Sequence, residues 1–256
     1  MSNLKHAIVK RLKSIIYAGG EKYHFAGKDL LFMPNSRPVR RKYINSRSDV
    51  VRNDVLQIIY FENNFKPEHV IWDIGSHFGH YSIFAASIAG NENQVFSFEP
   101  DSSATIMQKQ NIIINHFENK IKLYDYVISD KDGTIKFMDL SGNANSHIVK
   151  DSSLSDMNCV IKEAKSLDSL LSIIPEPNFI KIDTEGAEID ILRGGSNLLQ
   201  NDKVQFICEL HPFAWKDFGV SFDDITRILN KYGRKIRLLD DMRSENDLPY
   251  YGTVLF

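Results

Sequence analysis

An alternation of short apolar runs with helix-patterned segments narrows the fold more than any other feature. VIWDI (70–74) passes through a glycine-bearing turn into YSIFAASIAG, and VFSFE (95–99) passes into a helical pattern over 102–117. Near-continuous apolar runs of strand length, separated by helical periods, predict parallel strands covered on both faces. The pattern continues with IKLYDYVIS (121–129), a turn at Gly133 before TIKFM (134–138), an Asn/Ser-rich loop (141–147) and CVIKEA (159–164). FIKID (179–183) follows, then a helix from Ala187 to Arg193 stopped by Gly194 and Gly195, and VQFICEL (204–210). A helix over 221–232, a strand KIRLL (235–239) and YGTVLF (251–256) finish the chain. Those last two strands, with no helix between them, close the sheet with an antiparallel edge.

Two parts precede or flank this α/β unit, and residues 49–256 are read as the main domain. Leu4, Ile8, Leu12, Ile15 and Ile16 recur at helical spacing opposite Lys5, Lys10, Arg11 and Lys13, an amphipathic helix that suits docking on the domain or peripheral contact with a membrane. Segment 21–47 reads as strand-poor and turn-rich, so residues 1–48 form an extension. From Asp49 to Phe65 a helix is expected, ending before Pro67.

Charge and cysteine content exclude several classes. With Lys+Arg at 31 and Asp+Glu at 33 the net charge is -2, no general attraction for nucleic acid phosphates. Cys159 and Cys208 form neither a disulfide framework nor a zinc motif. No signal-peptide run and no apolar segment of bilayer-spanning length is present, so a cytoplasmic protein is expected.

In an open parallel sheet the ligand crevice lies beyond the carboxyl ends of the strands, where strand order reverses. The loop Asp73-Ile74-Gly75-Ser76-His77-Phe78-Gly79 sits after the first such strand and opens a helix, whose free N–H groups suit a carboxylate. Glycines 75 and 79 would let a ligand approach the backbone. His77 stands where a dinucleotide fingerprint needs its second glycine, and the loop lacks the lysine of a phosphate-binding loop. Glu99, at the next strand's tip before Pro100, follows Gly75 by 24 residues, near the ~20-residue offset at which such folds present an acid to ribose hydroxyls. Asp125 and Tyr126, in the middle of the third strand, would flank an adenine ring.

Taken together, DIGSHFGHYS, VFSFEP, Asn111 and Asn115 on the next helix, KIDTEGAEIDILRG and CELHP resemble the FkbM family of methyltransferases, over roughly residues 50–215. The resemblance implies a seven-stranded Rossmann-like class I methyltransferase sheet with helices on both faces and an antiparallel last strand. It also implies S-adenosylmethionine as donor and O-methylation of a hydroxyl on a sugar, glycan precursor or natural product. By position, Asp73, Gly75 and Gly79 would hold the methionine side, Glu99 the ribose, and Asp183 would sit beside the reacting methyl. Ser76 and His77 replace an alanine and an asparagine common in the family, and Tyr126 replaces a small residue.

Methyl transfer asks the protein to align donor and acceptor, exclude water and accept the hydroxyl's proton. His211 is the preferred base, with Asp183, Glu185 and Glu209 converging at the same sheet edge. A divalent metal held by these groups with Glu188 is not favoured, because no spacing is diagnostic and Glu188 reads as an exposed helical acid. His77 and His80, at i,i+3, read as solvated or capping rather than as ligands. Phe213, Trp215 and Phe218 suit either a sugar's apolar face or core packing. The basic stretch Arg37–Lys42, with Arg47 and Arg52, would recognise an anionic acceptor or stay solvated. The rival reading is a degenerate binding or scaffold domain that keeps the fold without turnover. Methylation of nucleic acid ranks last, since Asp183-Thr184-Glu185-Gly186 stands where a flipped base would need Asn-Pro-Pro-Tyr.

Overall fold

A computed structural model of the chain describes residues 20–140, 146–149, 159–240, 242–244 and 251–256. The amphipathic helix expected over Leu4–Ile16 lies outside the described residues, as does most of the Asn/Ser-rich loop. The segment read as strand-poor opens with a hairpin: Glu21–Phe25 (β1) pairs antiparallel with Lys28–Phe32 (β2). Tyr23, Phe25, Leu30 and Phe32 point inward. The connecting residues Ala26 and Gly27 have φ of +47° and +74°, a two-residue turn whose usual signature is Asn-Gly. Alanine at its first position hides the hairpin from a reading of turn residues.

Asp49–Asn64 (α1) starts at Ser48, whose side chain accepts from the Val51 N–H, and buries Val55, Ile58 and Phe61 together with Asn53 and Gln57. The expected alternation follows as Ile71–Ile74 (β3), His80–Ile88 (α2), Val95–Phe98 (β4) and Ser102–Ile114 (α3). The strand expected over 121–129 is broken. Ile121–Tyr124 (β5) pairs with β4, while Val127–Ser129 (β6) leaves for a second sheet with Gly133–Met138 (β7), His147–Ile148 (β8) and Cys159–Ser166 (β9), in the order β6-β9-β7-β8. Asp125 and Tyr126 therefore form a corner between sheets rather than a strand centre.

The chain returns through Leu167–Leu170 (α4) to Phe179–Ile182 (β10), Glu188–Arg193 (α5), Ser196–Gln200 (α6) and Gln205–Leu210 (β11). Pro212–Phe218 (α7), Phe222–Lys231 (α8), Arg237–Leu238 (β12) and Gly252–Leu255 (β13) complete it. The main sheet has seven strands ordered β12-β13-β11-β10-β3-β4-β5. Only β13 runs against the others. This last strand is antiparallel as expected, but it is inserted between β11 and β12, so the edge of the sheet is β12.

Each central strand feeds two cores. Trp72, Phe96, Ile180 and Phe206 face one that includes α5, α6, α8 and the second sheet. Ile71, Val95, Phe179 and Ile207 face another built from α1, α2, α3 and the hairpin. On this second face, in register across β4, β3 and β10, lie Ser97, Asp73 and Lys181, a buried polar row inside strands otherwise apolar.

The extension is fastened to that core. Phe25 stacks on Phe84 at 4.1 Å between centroids. Asn111 of α3 and Asn115 at its C-cap act as substitute strand backbone for β2 and the residue after it. Asn115 accepts from Leu31 N–H (2.9 Å) and donates to Leu31 O (2.6 Å), while Asn111 accepts from Met33 N–H (2.8 Å) and donates to Phe78 O (2.9 Å). Asn111→Leu leaves these buried groups unpaired and should cost ~2–3 kcal/mol of unfolding free energy. Urea denaturation should register that loss, whereas Lys109→Ala on the exposed side of α3 should stay within ~0.5 kcal/mol of the parent. Equal effects of the two substitutions would contradict the bridging role.

Candidate functional site

The order of the sheet reverses around β3, and the carboxyl ends of β3, β4, β10 and β11 converge there. Gly75 (φ +73°) and Gly79 (φ +79°) shape the loop. A Cβ on Gly75 would overlap the Asp183 carbonyl oxygen and lie 2.9 Å from Thr184 Cγ2, and one on Gly79 would lie 2.5 Å from Gln108 Cγ. The glycines are thus required first by the chain's own close packing, a need distinct from the ligand approach expected of them.

His77, also at positive φ (+49°), donates its N–H to Glu99 Oε2 at 2.7 Å, and Asp101 N–H donates to Glu99 Oε1 at 2.8 Å. The acid at the tip of β4 is thereby tied to the loop after β3. Behind the loop, Ser76 Oγ donates to Gln108 Oε1 at 2.9 Å, and Gln108 Nε2 donates to Ser97 Oγ at 2.5 Å. Gln108 is fully buried, and nothing in the helical pattern over 102–117 marks it. His80 is also internal: its Nε2 lies 2.6 Å from Ser36 O, and burial pushes its pKa down to about 4.

A cavity of about 150 Å³ opens at this point. Of the residues expected to meet a cofactor, Gly75, His77, Glu99, Pro100, Tyr126 and Asp183 line it. Ser76, Phe78 and Gly79 build the loop from behind. Asp73 is 1% exposed; its Oδ2 accepts from Ser82 and its Oδ1 has no hydrogen-bond partner. Asp125 does not line the cavity: its side chain is 71% exposed, 4.0 Å from Lys162 Nζ. Phe98, Tyr126 and Ile128 give the cavity a flat apolar wall, and Phe98, Tyr124 and Tyr126 stack in succession. Glu99 keeps unshared electron pairs beyond those given to the two backbone N–H groups. A carboxylate facing a diol and an aromatic wall facing a base fit an adenosyl group.

Part of the cavity lining is acidic. Asp183 and Glu185 line it, and behind them stand Glu209 and His211, both nearly fully buried. Glu188, weighed on sequence only as an exposed acid, and three residues not singled out there, Lys181, Asp54 and Tyr251, complete this cluster. Lys181 Nζ donates to Asp183 Oδ2 at 2.8 Å and lies 4.5 Å from the Tyr81 ring centroid. Burial opposes the charge of Asp183, but the Lys181 ammonium and then His211 hold its pKa below the usual carboxylate range. Glu188, read as an exposed acid, is fully buried. It accepts from Gly186 N–H (3.1 Å), Trp215 Nε1–H (2.8 Å) and the His211 Nδ1 position (2.8 Å). The α5 helix is short and packed on the sheet, so even its acids turn inward.

Burial by itself would lower the pKa of His211, but the hydrogen bond to Glu188 and the carboxylates of Glu188, Asp183 and Glu209 push it up to about 10. Asp54 on α1 rises to about 7 through burial and the nearby Glu209 and Asp183. Glu209 is held by Gln57 Nε2 (2.6 Å) and by the Tyr251 hydroxyl. Asp54 and Gln57 carry a faint sequence signal, polar residues beside the apolar stripe of α1, and Lys181 a clearer one, a lysine within FIKID.

Of the aromatic residues after His211, Trp215 is core, bonded to Glu188, whereas Phe213 is 63% exposed and meets the His211 ring edge-on at 5.6 Å. The basic stretch is largely neutralised within the chain. Arg37 pairs with Glu21, Arg41 with Glu62, and Arg52 with Asp240. Arg37 and Arg40 line a separate groove with Tyr43 and Val51. No helix among the described residues is long and apolar enough to cross a membrane.

Comparison with known proteins gives this geometry its lineage. The family model of the methyltransferase FkbM domain matches residues 73–236. The hexuronic acid methyltransferase AglP of Haloferax volcanii is 28% identical over 183 residues, covering 70% of this chain and 67% of AglP. Among solved structures, methyltransferase FkbM from Methylobacillus flagellatus KT is 18% identical with a TM-score of 0.48 over 75% of this chain. The chain spans 44% of that protein's length. Precorrin-6y C5,15-methyltransferase from Geobacter metallireducens GS-15 is 12% identical with a TM-score of 0.44, covering 82% of this chain and 89% of its own. Since the matched region takes in the glycine loop, the Glu99 strand tip and the stretches that carry Lys181, Asp183, Glu185, Glu188, Glu209 and His211, the chain belongs to the FkbM methyltransferase family.

Proposed function

We propose that the chain transfers a methyl group from S-adenosylmethionine to a hydroxyl of a sugar, glycan precursor or natural product. The observation that carries this reading is one cavity lined by unlike groups: Gly75, Glu99 and Tyr126 together with the acids Asp183 and Glu185. A bound sulfonium supplies an electrophilic methyl that an acceptor oxygen takes in line, the S–C electron pair returning to sulfur. Glu99 receives the ribose hydroxyls, Tyr126 and Phe98 flank the base, and the Gly75 loop closes over the methionine portion. Phe213, exposed beside His211, offers an aromatic face to a sugar ring. AglP, named for a hexuronic acid, supports a sugar acceptor.

The acceptor hydroxyl must lose its proton. His211 was the preferred base on sequence, but with a pKa pushed up to about 10 its imidazole already carries a proton at neutral pH. Glu185 Oε1 lies 3.9 Å from His211 Nε2 on the cavity wall, and its side chain is 25% exposed. We assign the proton to Glu185, with His211 fixing the geometry of the carboxylates around it.

S-adenosylhomocysteine at 100 times its Kd should stabilise the protein by ~2.7 kcal/mol, visible as an upward shift of the thermal melt, while NAD at the same concentration should leave the melt in place. A melt indifferent to S-adenosylhomocysteine would favour a scaffold that keeps the fold without the cofactor.

A further inference from the structure

We propose that Asp183, Glu209 and His211 form a binding site for one divalent cation of the magnesium or manganese kind, placed to take the oxygens of the acceptor. Three features of the cluster lead there, and none depends on sequence spacing. One atom from each residue converges: His211 Nε2 is 3.9 Å from both Asp183 Oδ1 and Glu209 Oε1, and the three ligand atoms lie within 4.8 Å of one another. At 3.9 Å these pairs are too long for hydrogen bonds, and they suit groups that share a cation bound at about 2.1–2.3 Å from each.

Each ligand is also held from behind through another contact. Asp183 Oδ2 accepts from Lys181, Glu209 Oε2 accepts from Gln57, and Glu209 Oε1 also accepts from Tyr251. His211 Nδ1 is engaged by the fully buried Glu188, which is itself bonded to Trp215 and Gly186. Outer carboxylate partners that set the tautomer of a histidine, and outer donors that set the rotamer of a carboxylate, are the supports ligating side chains receive at metal centres. Here they aim Nε2 and the two carboxylates at a common point, where the cation takes the place of the Nε2 proton, so that His211 is no base with or without it.

The third feature is the density of acids. Asp183, Glu185, Glu188 and Glu209 each place a carboxylate oxygen within 3.9 Å of a ring nitrogen of His211, and Lys181 is paired with Asp183. Four acids gathered around one imidazole and one ammonium suit a further cation. With two carboxylates and one imidazole the set is harder than a zinc or copper site and retains open positions. An acceptor with two neighbouring oxygens, a vicinal diol or a hydroxy acid, would chelate there and present its hydroxyl with a lowered pKa. The O–H bond breaks toward Glu185 as the O–CH3 bond forms and the S–CH3 bond breaks. That role in transfer rests on the proposed methyl transfer, while the binding site itself does not.

Manganese titrated into the full chain, followed by loss of the free-ion electron spin resonance signal, should show one ion bound per chain. Glu209→Gln and His211→Ala should each weaken it by about 10- to 100-fold. On the unaltered protein, pulsed resonance of the bound ion should show nitrogen coupling from an imidazole, a readout that no folding defect of a variant can blur. Absence of binding at millimolar manganese, equal binding by parent and variants, or no nitrogen coupling would each overturn the site. The S-adenosylhomocysteine melt, run with chelator, keeps the two proposals apart: a shift without manganese binding removes the cation and leaves the methyltransferase reading intact.

Discussion

Gly75→Ala should abolish measurable S-adenosylhomocysteine binding, a loss of more than about a hundredfold, and lower stability by about 3 kcal/mol or more. Two costs act together. An alanine at φ +73° pays ~1–2 kcal/mol for the left-handed backbone, and its Cβ would sit on the Asp183 carbonyl, 2.8 Å from the carbonyl carbon. Relieving that overlap requires the ends of β3 and β10 to part, and those ends carry the loop, Asp183 and the cavity between them. For a chain of this size the stability loss corresponds to a melting point lower by roughly 6–12 °C. Gly27→Ala separates the two costs. Gly27 has φ +74° but nothing within 4 Å of its absent Cβ, so that variant should lose only ~1–2 kcal/mol and bind the ligand as the parent does. Calorimetric titration of both variants checks the contrast, and a Gly75→Ala chain that binds normally would show that the two strand ends are free to separate without cost to the cavity.

The same pair of strands explains why so much of the centre was legible. β3, β4 and β10 are buried at every position, so their apolar runs announce them, and their order along the chain places the loop and Glu99 side by side. Legibility ends where a residue's meaning is set by distant packing. Asp125 and Tyr126 read as a strand centre because IKLYDYVIS has no glycine or proline to mark the corner, yet the chain changes sheets there. The hairpin was lost to an Ala-Gly turn. Glu188 was read as a helical surface acid, since helical period says nothing about which side of a six-residue helix meets the sheet. Asp183, Glu185, Glu209 and His211 were found from their places at strand ends. What was missed, besides the inward turn of Glu188, are the residues that hold them, Lys181, Gln57 and Tyr251, which arrive from strand, helix and tail positions that only the folded chain brings together.

Glu99 supplies the other large effect. Burial drives its pKa from the ordinary 4.5 up to about 7, against the lowering influence of the Asp101 and His77 backbone hydrogen bonds. Between those two values the unfolded chain has released this proton and the folded chain keeps it, so the group's contribution to stability falls as pH rises from about 4.5 to 7 and is flat above. Ligand binding should run the other way. A carboxylate accepts both hydroxyls of a vicinal diol, whereas the protonated form has a donor where an acceptor is needed. Affinity for S-adenosylhomocysteine should therefore climb about tenfold per pH unit from 5 toward 7 and level off above, near a hundredfold in all. The ligand's own groups do not titrate in that interval, because its carboxyl and amino pKa values lie outside it. Glu99→Gln removes the titration and one acceptor, so its binding should be weaker than the parent's at pH 8 by at least about tenfold and level across the range. Parallel pH profiles for parent and Glu99→Gln would place the diol elsewhere in the cavity and leave Glu99 as a brace for the loop through His77.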